Sequence, residues 1–295
     1  MDNSAAQSAA PRSASGWLNG LAGVVIFSGS LPATRLALQD FEPGFLTYAR
    51  ATLAAAVAMV LLAVRREALP PRAHAAGLAI TACGVVVGFP LLTALALQHI
   101  TAARSIVFLG LLPLATALFA VVRGGERPRP AFWLFSLAGS ALVAGFALGQ
   151  PAAASATGDL LMLAAVAVCG LGYAEGARLS RKLGGWQVIC WALVVSLPVM
   201  AAGAVYSFPS SAAAIHPTAW AALGYVSLFS MLIGFIFWYR GLAIGGIAAV
   251  GQLQLLQPLL GLMLSALLLH ESIGTAMLAT TAGVILCVAG AKRFA

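Results

Sequence analysis

Two charged side chains lie inside apolar stretches of this 295-residue sequence, where a charge needs a function or a partner. Arg50 lies about six residues, or about 9 Å, into an apolar run. Its guanidinium can bind a substrate carboxylate, or extend outward to Asp40 or Glu42. Glu175 is the one acid well inside an apolar run. It can carry a proton, or be neutralised by Arg178, which follows three residues later on the same helix face.

The sequence offers little for catalysis, metal binding or nucleotide binding. It contains no HExxH, GxSxG or Walker sequence and no Gly-rich phosphate loop. The cysteines lie singly in apolar runs, a spacing typical of small buried hydrophobic residues: Cys83, Cys169, Cys190 and Cys287. We therefore predict no enzymatic activity, no metal site and no cofactor.

The composition is that of a membrane protein. Hydrophobic residues make up 61% of the chain and charged residues 8%, whereas a soluble domain has about 25% charged residues. The net charge of +8 comes from short basic clusters between apolar runs. That distribution predicts membrane topology rather than nucleic-acid binding.

Ten apolar runs are about long enough to cross a bilayer as helices. They are Trp17–Leu38, Gly44–Val64, His74–Leu97, Thr101–Val122, Ala131–Leu148, Asp159–Leu179, Trp186–Tyr206, Thr218–Tyr239, Gly246–Leu269 and Gly274–Gly290. With ten spans, nearly all basic clusters fall on one side. The positive-inside rule then places both termini in the cytoplasm.

The two halves of the sequence resemble each other. A shift of 145 residues places Pro113 on Pro258 and Glu126 on Glu271. Each half then has five spans, so the second half enters the membrane inverted. We predict an all-α integral membrane fold with two inverted five-helix repeats around a central cavity, a plan common among secondary transporters.

The stretches "PLATALFAVVRGGE" and "PLLGLMLSALLLHE", with "ALALQHITAA" before the first, resemble the Drug/Metabolite Transporter superfamily in its ten-helix EamA-type form. Arg50 fits the arginine common in the second span of that family's first repeat. The resemblance covers nearly the whole chain and implies export of small metabolites. Within that superfamily, the sequence most resembles the aromatic amino acid exporters.

Both repeated positions have a predicted structural role. Pro113 and Pro258 are expected to kink the fourth helix of each half. Glu126 and Glu271 each precede a helix of the same half and are expected to cap it. Gly251, Gln254, Pro258, Gly261 and Ser265 share one helix face, which either lines the substrate path or packs closely on another helix.

The candidate cavity residues are aromatic or polar side chains within spans. They are Phe27, Ser30, Phe89, Phe108, Tyr173, Trp238, Gln254 and Gln257. An apolar, partly aromatic cavity suits a flat amino acid side chain.

The predicted domains are a cytoplasmic tail (1–16), a first repeat (17–149), an external linker (150–158), a second repeat (159–291) and a cytoplasmic end (292–295). We expect an exporter or facilitator of small metabolites, amino acids including aromatic ones, in a bacterial inner membrane, working by alternating access. A cationic drug or polyamine exporter, and a non-transporting sensor or scaffold, are the alternatives. The expected partners are the substrate and the bilayer, not nucleic acid, and the chain is expected to be a monomer or weak dimer.

Overall fold

The computed structural model describes residues 14–100, 105, 108–149, 155–257, 259–261, 263–264 and 275–295. Within those ranges the chain forms helices and turns and contains no strand. This confirms the all-α prediction for the described residues. The predictions made for Pro258 and Glu271 lie outside them.

The helical segments follow the apolar runs of the sequence closely. In chain order they are α1 (Ala14–Ala37), α2 (Pro43–Val64), α3 (Arg72–Ala96), α4 (Leu112–Gly124), α5 (Pro130–Leu148), α6 (Ala156–Leu183), α7 (Gly185–Tyr206), α8 (Pro217–Gly245), α9 (Ile247–Gly251, continued by the 3-10 helix Gln252–Leu256) and α10 (Thr275–Phe294). In the described part of the chain, α1, α2, α3, α6, α7 and α8 are long and apolar enough to cross a membrane. The exact number of spans and their inversion stay predictions.

Proline, serine and glycine residues at specific positions determine where several helices begin and end. Pro43 and Pro217 occupy the first turns of α2 and α8, where a missing N–H costs nothing. The Ser155 side chain caps α6 by accepting the Gly158 N–H at 3.4 Å. Gly125 ends α4 with φ of 68°, a conformation that favours glycine.

The helices pack mainly in pairs that join the two predicted halves. α1 packs along α8, and α3 packs along α6. α2 lies against α7, and α5 lies against α10. Buried side chains from both halves form one large apolar cluster, with Trp238 and Tyr239 among its fully buried members. The two halves therefore share one apolar core. Residues of both halves bound the cavity that lies between them.

Two helices change to π-helical geometry midway. The π segments are Ala82–Gly88 in α3 and Val226–Ile233 in α8. Shifting the first by the 145-residue offset of the sequence places it on the second to within a residue. Such segments are rare and are frequent at functional sites, because they release backbone groups from the regular helical pattern.

Glycines bring α1 and α8 into backbone contact. A Cβ atom added at Gly241 would lie 2.6 Å from the backbone nitrogen of Gly20, and one added at Gly16 would lie 2.7 Å from Cα of Gly245. Side chains larger than hydrogen do not fit between these helices. The contact is of the small-residue kind that lets membrane helices approach closely.

This contact predicts a sharp difference between two alanine substitutions on α8. Gly241→Ala is expected to lower the free energy of unfolding by about 1–3 kcal/mol, because its methyl group meets backbone rather than a movable side chain. Gly224→Ala, where an added Cβ meets no atom within 4 Å, is the control and is expected to be neutral or slightly stabilising. Thermal unfolding of the purified protein in detergent measures both. Equal losses in the two variants would contradict this account.

Candidate functional site

A cavity lies among α1, α2, α3, α4, α6 and α8, with Gln257 after α9 also on its wall. Its empty space is about 590 Å³ with the open mouth included, but the centre of a water molecule can occupy only about 40 Å³ of it. The cavity is therefore narrow in this conformation. A metabolite-sized ligand fits once the surrounding helices separate.

The cavity wall has an aromatic part and a polar part. The aromatic part consists of Phe27, Phe89, Tyr173 and Phe235. The polar part consists of Ser30, Thr34, Arg50, Thr93, Ser230 and Gln257. An apolar wall with a few placed polar groups is what small-molecule sites usually have.

Five of the eight candidate cavity residues line this space: Phe27, Ser30, Phe89, Tyr173 and Gln257. They come from four different helical regions of the chain. The structure therefore brings together residues that the sequence places up to 230 positions apart, such as Phe27 and Gln257.

The other three candidates are not among the residues that line the cavity. Trp238 is fully buried, with its ring 5.4 Å from that of Tyr173 and 6.2 Å from that of Phe27. Gln254 donates from Nε2 to the Tyr173 hydroxyl at 3.1 Å. Phe108 is partly buried and packs against the apolar clusters. Trp238 and Gln254 therefore position the aromatic wall and do not face the cavity themselves.

Helix interruptions coincide with the cavity. The chain turns at Gly110 and Leu111, and α4 restarts at Leu112 with Pro113 in its first turn. The expected kink at Pro113 is thus a break, because proline has no N–H to continue the helix. Leu109 and Leu112, on either side of this break, both line the cavity.

Arg50 lies at the polar part of the wall and is 7% exposed. Its Nη2 atom donates to the backbone oxygen of Val226 at 3.2 Å and to Ser230 Oγ at 3.3 Å. Its Nε atom has no hydrogen-bond partner among the described residues. Of the two roles considered for this side chain, the geometry fits the one toward the cavity.

Asp40, a candidate partner of Arg50, binds another residue. Its carboxylate accepts the His216 backbone N–H at 2.9 Å and lies 3.0 Å from His216 Nδ1. These contacts, the backbone hydrogen bond above all, hold the pKa of Asp40 below its ordinary value. Asp40 therefore joins the connection after α1 to the start of α8 and leaves Arg50 without it.

Glu175 lies at the opposite end of the bundle from Arg50 and forms ion pairs. Its fully buried carboxylate accepts from Arg178 Nε at 3.2 Å and from Arg123 Nε at 3.1 Å. Arg178 is the partner that the sequence indicates, and Arg123 comes from the end of α4. Glu175 does not line the cavity, so its first evident role is to join α4 to α6.

Glu126 caps a helix, but not the helix expected from sequence. Its carboxylate oxygens accept the backbone N–H groups of Ile247 and Ala248, both at 2.8 Å, at the start of α9. It also pairs with Arg181 near the end of α6. The predicted target was α5, which follows Glu126 in the same half. The correct partner belongs to the other half, and sequence proximity does not reveal it.

Sequence reasoning missed several cavity residues. Thr34, Thr93, Leu109 and Ser230 line the cavity but are single polar or apolar residues within apolar runs. One signal was present for Ser230, because its helix carries the serines Ser227 and Ser230 at helical spacing. Nothing in the sequence distinguishes Thr93 from other buried threonines.

Comparison with known proteins gives the family. The sequence model described as "EamA-like transporter family" matches residues 14–147 and again residues 156–291. The chain belongs to the EamA-like transporter family. It is therefore a multi-pass membrane transporter and not an enzyme, within the Drug/Metabolite Transporter superfamily.

Two further proteins are similar to this EamA-like chain. The uncharacterized transporter YdeK of Bacillus subtilis (strain 168) is 62% identical over 284 residues, which cover 96% of this chain and 99% of the relative. A crystal structure of a protein with 22% sequence identity superposes with a TM-score of 0.77, covering 97% of this chain and 100% of that one. The second likeness concerns the fold alone.

The ion pairs of Glu175 predict a structural effect of its neutralisation. Glu175→Gln is expected to destabilise the protein by about 1–3 kcal/mol, because it weakens charge-assisted hydrogen bonds to two arginines. Ligand affinity of the cavity should stay within about twofold of wild type, a change of under about 0.4 kcal/mol, because Glu175 does not line the cavity.

Glu42→Gln is the matched control, because Glu42 is exposed and its side chain caps no helix. Thermal unfolding, ligand titration, and liposome uptake with and without a pH gradient compare the two variants. A Glu175→Gln protein that is as stable as wild type but has lost its response to a pH gradient would show instead that Glu175 carries the coupling proton.

Proposed function

We propose that this transporter moves small metabolites that carry a carboxylate and an apolar side chain, with amino acids, including aromatic ones, as the first class to examine. The observation that carries this proposal is Arg50. Its described hydrogen bonds go to neutral oxygens only, and it lines a cavity between helices. A buried arginine normally pairs with an acid, and a substrate carboxylate is the partner that such a site lacks.

The rest of the wall supports an apolar or aromatic substrate side chain. Phe27 lies edge-on to Phe235, with ring centroids 5.0 Å apart, and Tyr173 lies 5.9 Å from Phe235. Rings at such distances prefer edge-to-face contact, and an inserted aromatic ring can join them in the same way. A cationic drug or polyamine fits this cavity poorly, because Arg50 repels it.

We propose alternating access as the mechanism, with the two halves as inverted repeats. The helix packing supports this mechanism. α1 packs on α8 and α3 packs on α6, and each of these pairs takes the place of the other when the two halves are exchanged. The two π segments at the 145-residue offset support it too. Inverted halves of similar sequence have inward-open and outward-open states of similar energy.

Polar contacts close the end of the bundle opposite the cavity. Glu126 joins the loop after α4 to the start of α9 and to Arg181 of α6, and Glu175 joins α6 to Arg123 of α4. We name the Glu126 contacts with Ile247 and Ala248 the α9 latch. Opening this end requires the latch to break, whereas opening the other end requires the contacts of Asp40 with His216 and of Ser30 with Ser230 to break.

The clusters of arginine and lysine support a cytoplasmic position for this latched end. Arg123, Arg178 and Arg181 lie there, and the positive-inside rule applies to such clusters. Both termini are then cytoplasmic and the cavity lies toward the outer side, where an exporter in a bacterial inner membrane releases its substrate. A monomer or weak dimer in the bilayer suffices, because one chain supplies the whole cavity wall.

Replacing the cavity arginine tests the substrate assignment. In liposomes, counterflow of labelled phenylalanine by Arg50→Gln is expected to fall at least tenfold, because loss of a buried charged hydrogen bond costs about 1.5–3 kcal/mol. Arg35→Gln, an exposed arginine of α1 on the same half of the bundle, is the matched control and should keep wild-type counterflow. Wild-type protein without counterflow of any amino acid would overturn the amino acid assignment.

A cross-link across the latched end tests alternating access. A Cβ atom at Gly124 of α4 would lie 2.9 Å from Cδ1 of Ile247, so the two residues are neighbours, and Gly124→Cys with Ile247→Cys is the pair to cross-link by oxidation. Transport by the double variant is expected to stop on oxidation and return on reduction.

Each single-cysteine variant controls for the natural cysteines and for the substitutions themselves. Ligand binding from the outer side should survive the cross-link, because the cavity lies at the other end. Undiminished transport by the oxidised double variant would exclude opening of this end as a step of the cycle.

A further inference from the structure

The cavity wall carries a positive charge and no negative one among the described residues. Arg50 is its charged member, and the remaining polar members are neutral. The acids nearest the bundle interior are engaged elsewhere: Glu175 with Arg123 and Arg178, Glu126 with the α9 latch and Asp40 with His216. A substrate ammonium group entering this cavity meets no carboxylate.

Three backbone oxygens near the cavity already accept hydrogen bonds from side chains of the protein. The Ile26 oxygen accepts from the Tyr225 hydroxyl at 2.6 Å, and the Phe27 oxygen accepts from Gln257 Nε2 at 3.3 Å. The Val226 oxygen accepts from Arg50. Each of these acceptors, which are the natural partners for an ammonium group, already has a donor of the protein.

Two buried donors, in residues that line the cavity, lack a partner among the described residues. They are Arg50 Nε on α2 and Thr93 Oγ1 on α3, in residues that are 7% and 5% exposed. Both residues line the same cavity. A buried polar group without a partner needs an explanation, and for two such groups in residues of one cavity wall an absent ligand or water supplies it. These two donors suit a ligand in which a carboxylate lies next to a hydroxyl or carbonyl oxygen.

We propose that the cavity prefers monoanionic carboxylates with a 2-hydroxy or 2-oxo oxygen and an apolar side chain over the corresponding zwitterionic amino acids. The proposal rests on the proposed function, in which Arg50 holds the substrate carboxylate. An anion leaves the site neutral, whereas a zwitterion leaves one positive charge without a counter-charge in a poorly hydrated cavity. Thr93 contributes a hydrogen bond to the oxygen that replaces the amine.

A set of probes with one phenyl ring and different polar ends separates these contributions. They are 3-phenyllactate, phenylalanine, 3-phenylpropionate and phenethylamine, titrated at pH 7.5 into the purified protein in nanodiscs by calorimetry. We expect phenyllactate to bind at least tenfold more tightly than phenylalanine, and phenethylamine not to bind. Phenyllactate should also exceed phenylpropionate by about tenfold, the value of one net hydrogen bond.

Two variants assign the preference to residues. Thr93→Val, which keeps the shape of the side chain, is expected to reduce phenyllactate affinity about tenfold and to leave phenylpropionate affinity unchanged. Arg50→Gln should weaken both acids. Unchanged thermal stability of Thr93→Val distinguishes a lost ligand contact from a damaged fold, and an equal loss for both acids in this variant would refute the role of Thr93.

The outcomes separate this inference from the function on which it rests. Phenylalanine binding as tightly as phenyllactate would overturn the charge preference and leave the carboxylate assignment intact. Tight binding of phenethylamine would overturn both. Absence of binding by every carboxylate probe would overturn the proposed function, and with it the preference.

Discussion

The absence of water from the bilayer core is the constraint on which this structure depends, because each backbone polar group there needs a partner within the protein. Regular helices meet this requirement, but they leave no backbone group for a substrate site. The structure departs from regular helix at the break before Pro113 and in the two π segments, and these departures border the cavity. The Val226 backbone oxygen, which lies in a π segment of one half, accepts a hydrogen bond from the Arg50 side chain of the other half.

The same constraint explains why the two ends of the bundle differ. At the cavity end, polar side chains face a shared space, with Ser30 bonded to Ser230 across it at 2.6 Å. At the latched end, Glu126 satisfies two N–H groups at the start of α9, which regular helices leave unpaired. A carboxylate there also meets the positive end of the helix dipole. The latch therefore stabilises the start of α9 and connects the halves with the same two hydrogen bonds.

The apolar runs of the sequence predict the helices of this fold well, but they do not predict long-range polar contacts. α2 was expected from Gly44 to Val64 and extends from Pro43 to Val64, because span length and hydrophobicity are local properties. The π segments were not predicted, since changing the hydrogen-bond step leaves composition unaltered. The partner of Glu126 lies 121 residues away, whereas its sequence neighbours favoured α5. Thr93 was missed because burial alone does not show that a hydroxyl lacks a partner.

The position of the charges bears on how the proposed export is driven. No acid of the described residues lines the cavity, and Glu175 lies in an ion-pair network at the latched end, so the cavity offers no evident proton carrier. A substrate with a net negative charge needs no proton carrier. Moving one elementary charge through a potential of 100 mV is worth about 2.3 kcal/mol, which corresponds to a concentration ratio of about fiftyfold. In a cell that is negative inside, this potential expels anions and leaves zwitterions unaffected. A cavity whose described wall has one arginine and no acid thus suits the proposed anionic substrates, whose exit the membrane potential itself drives.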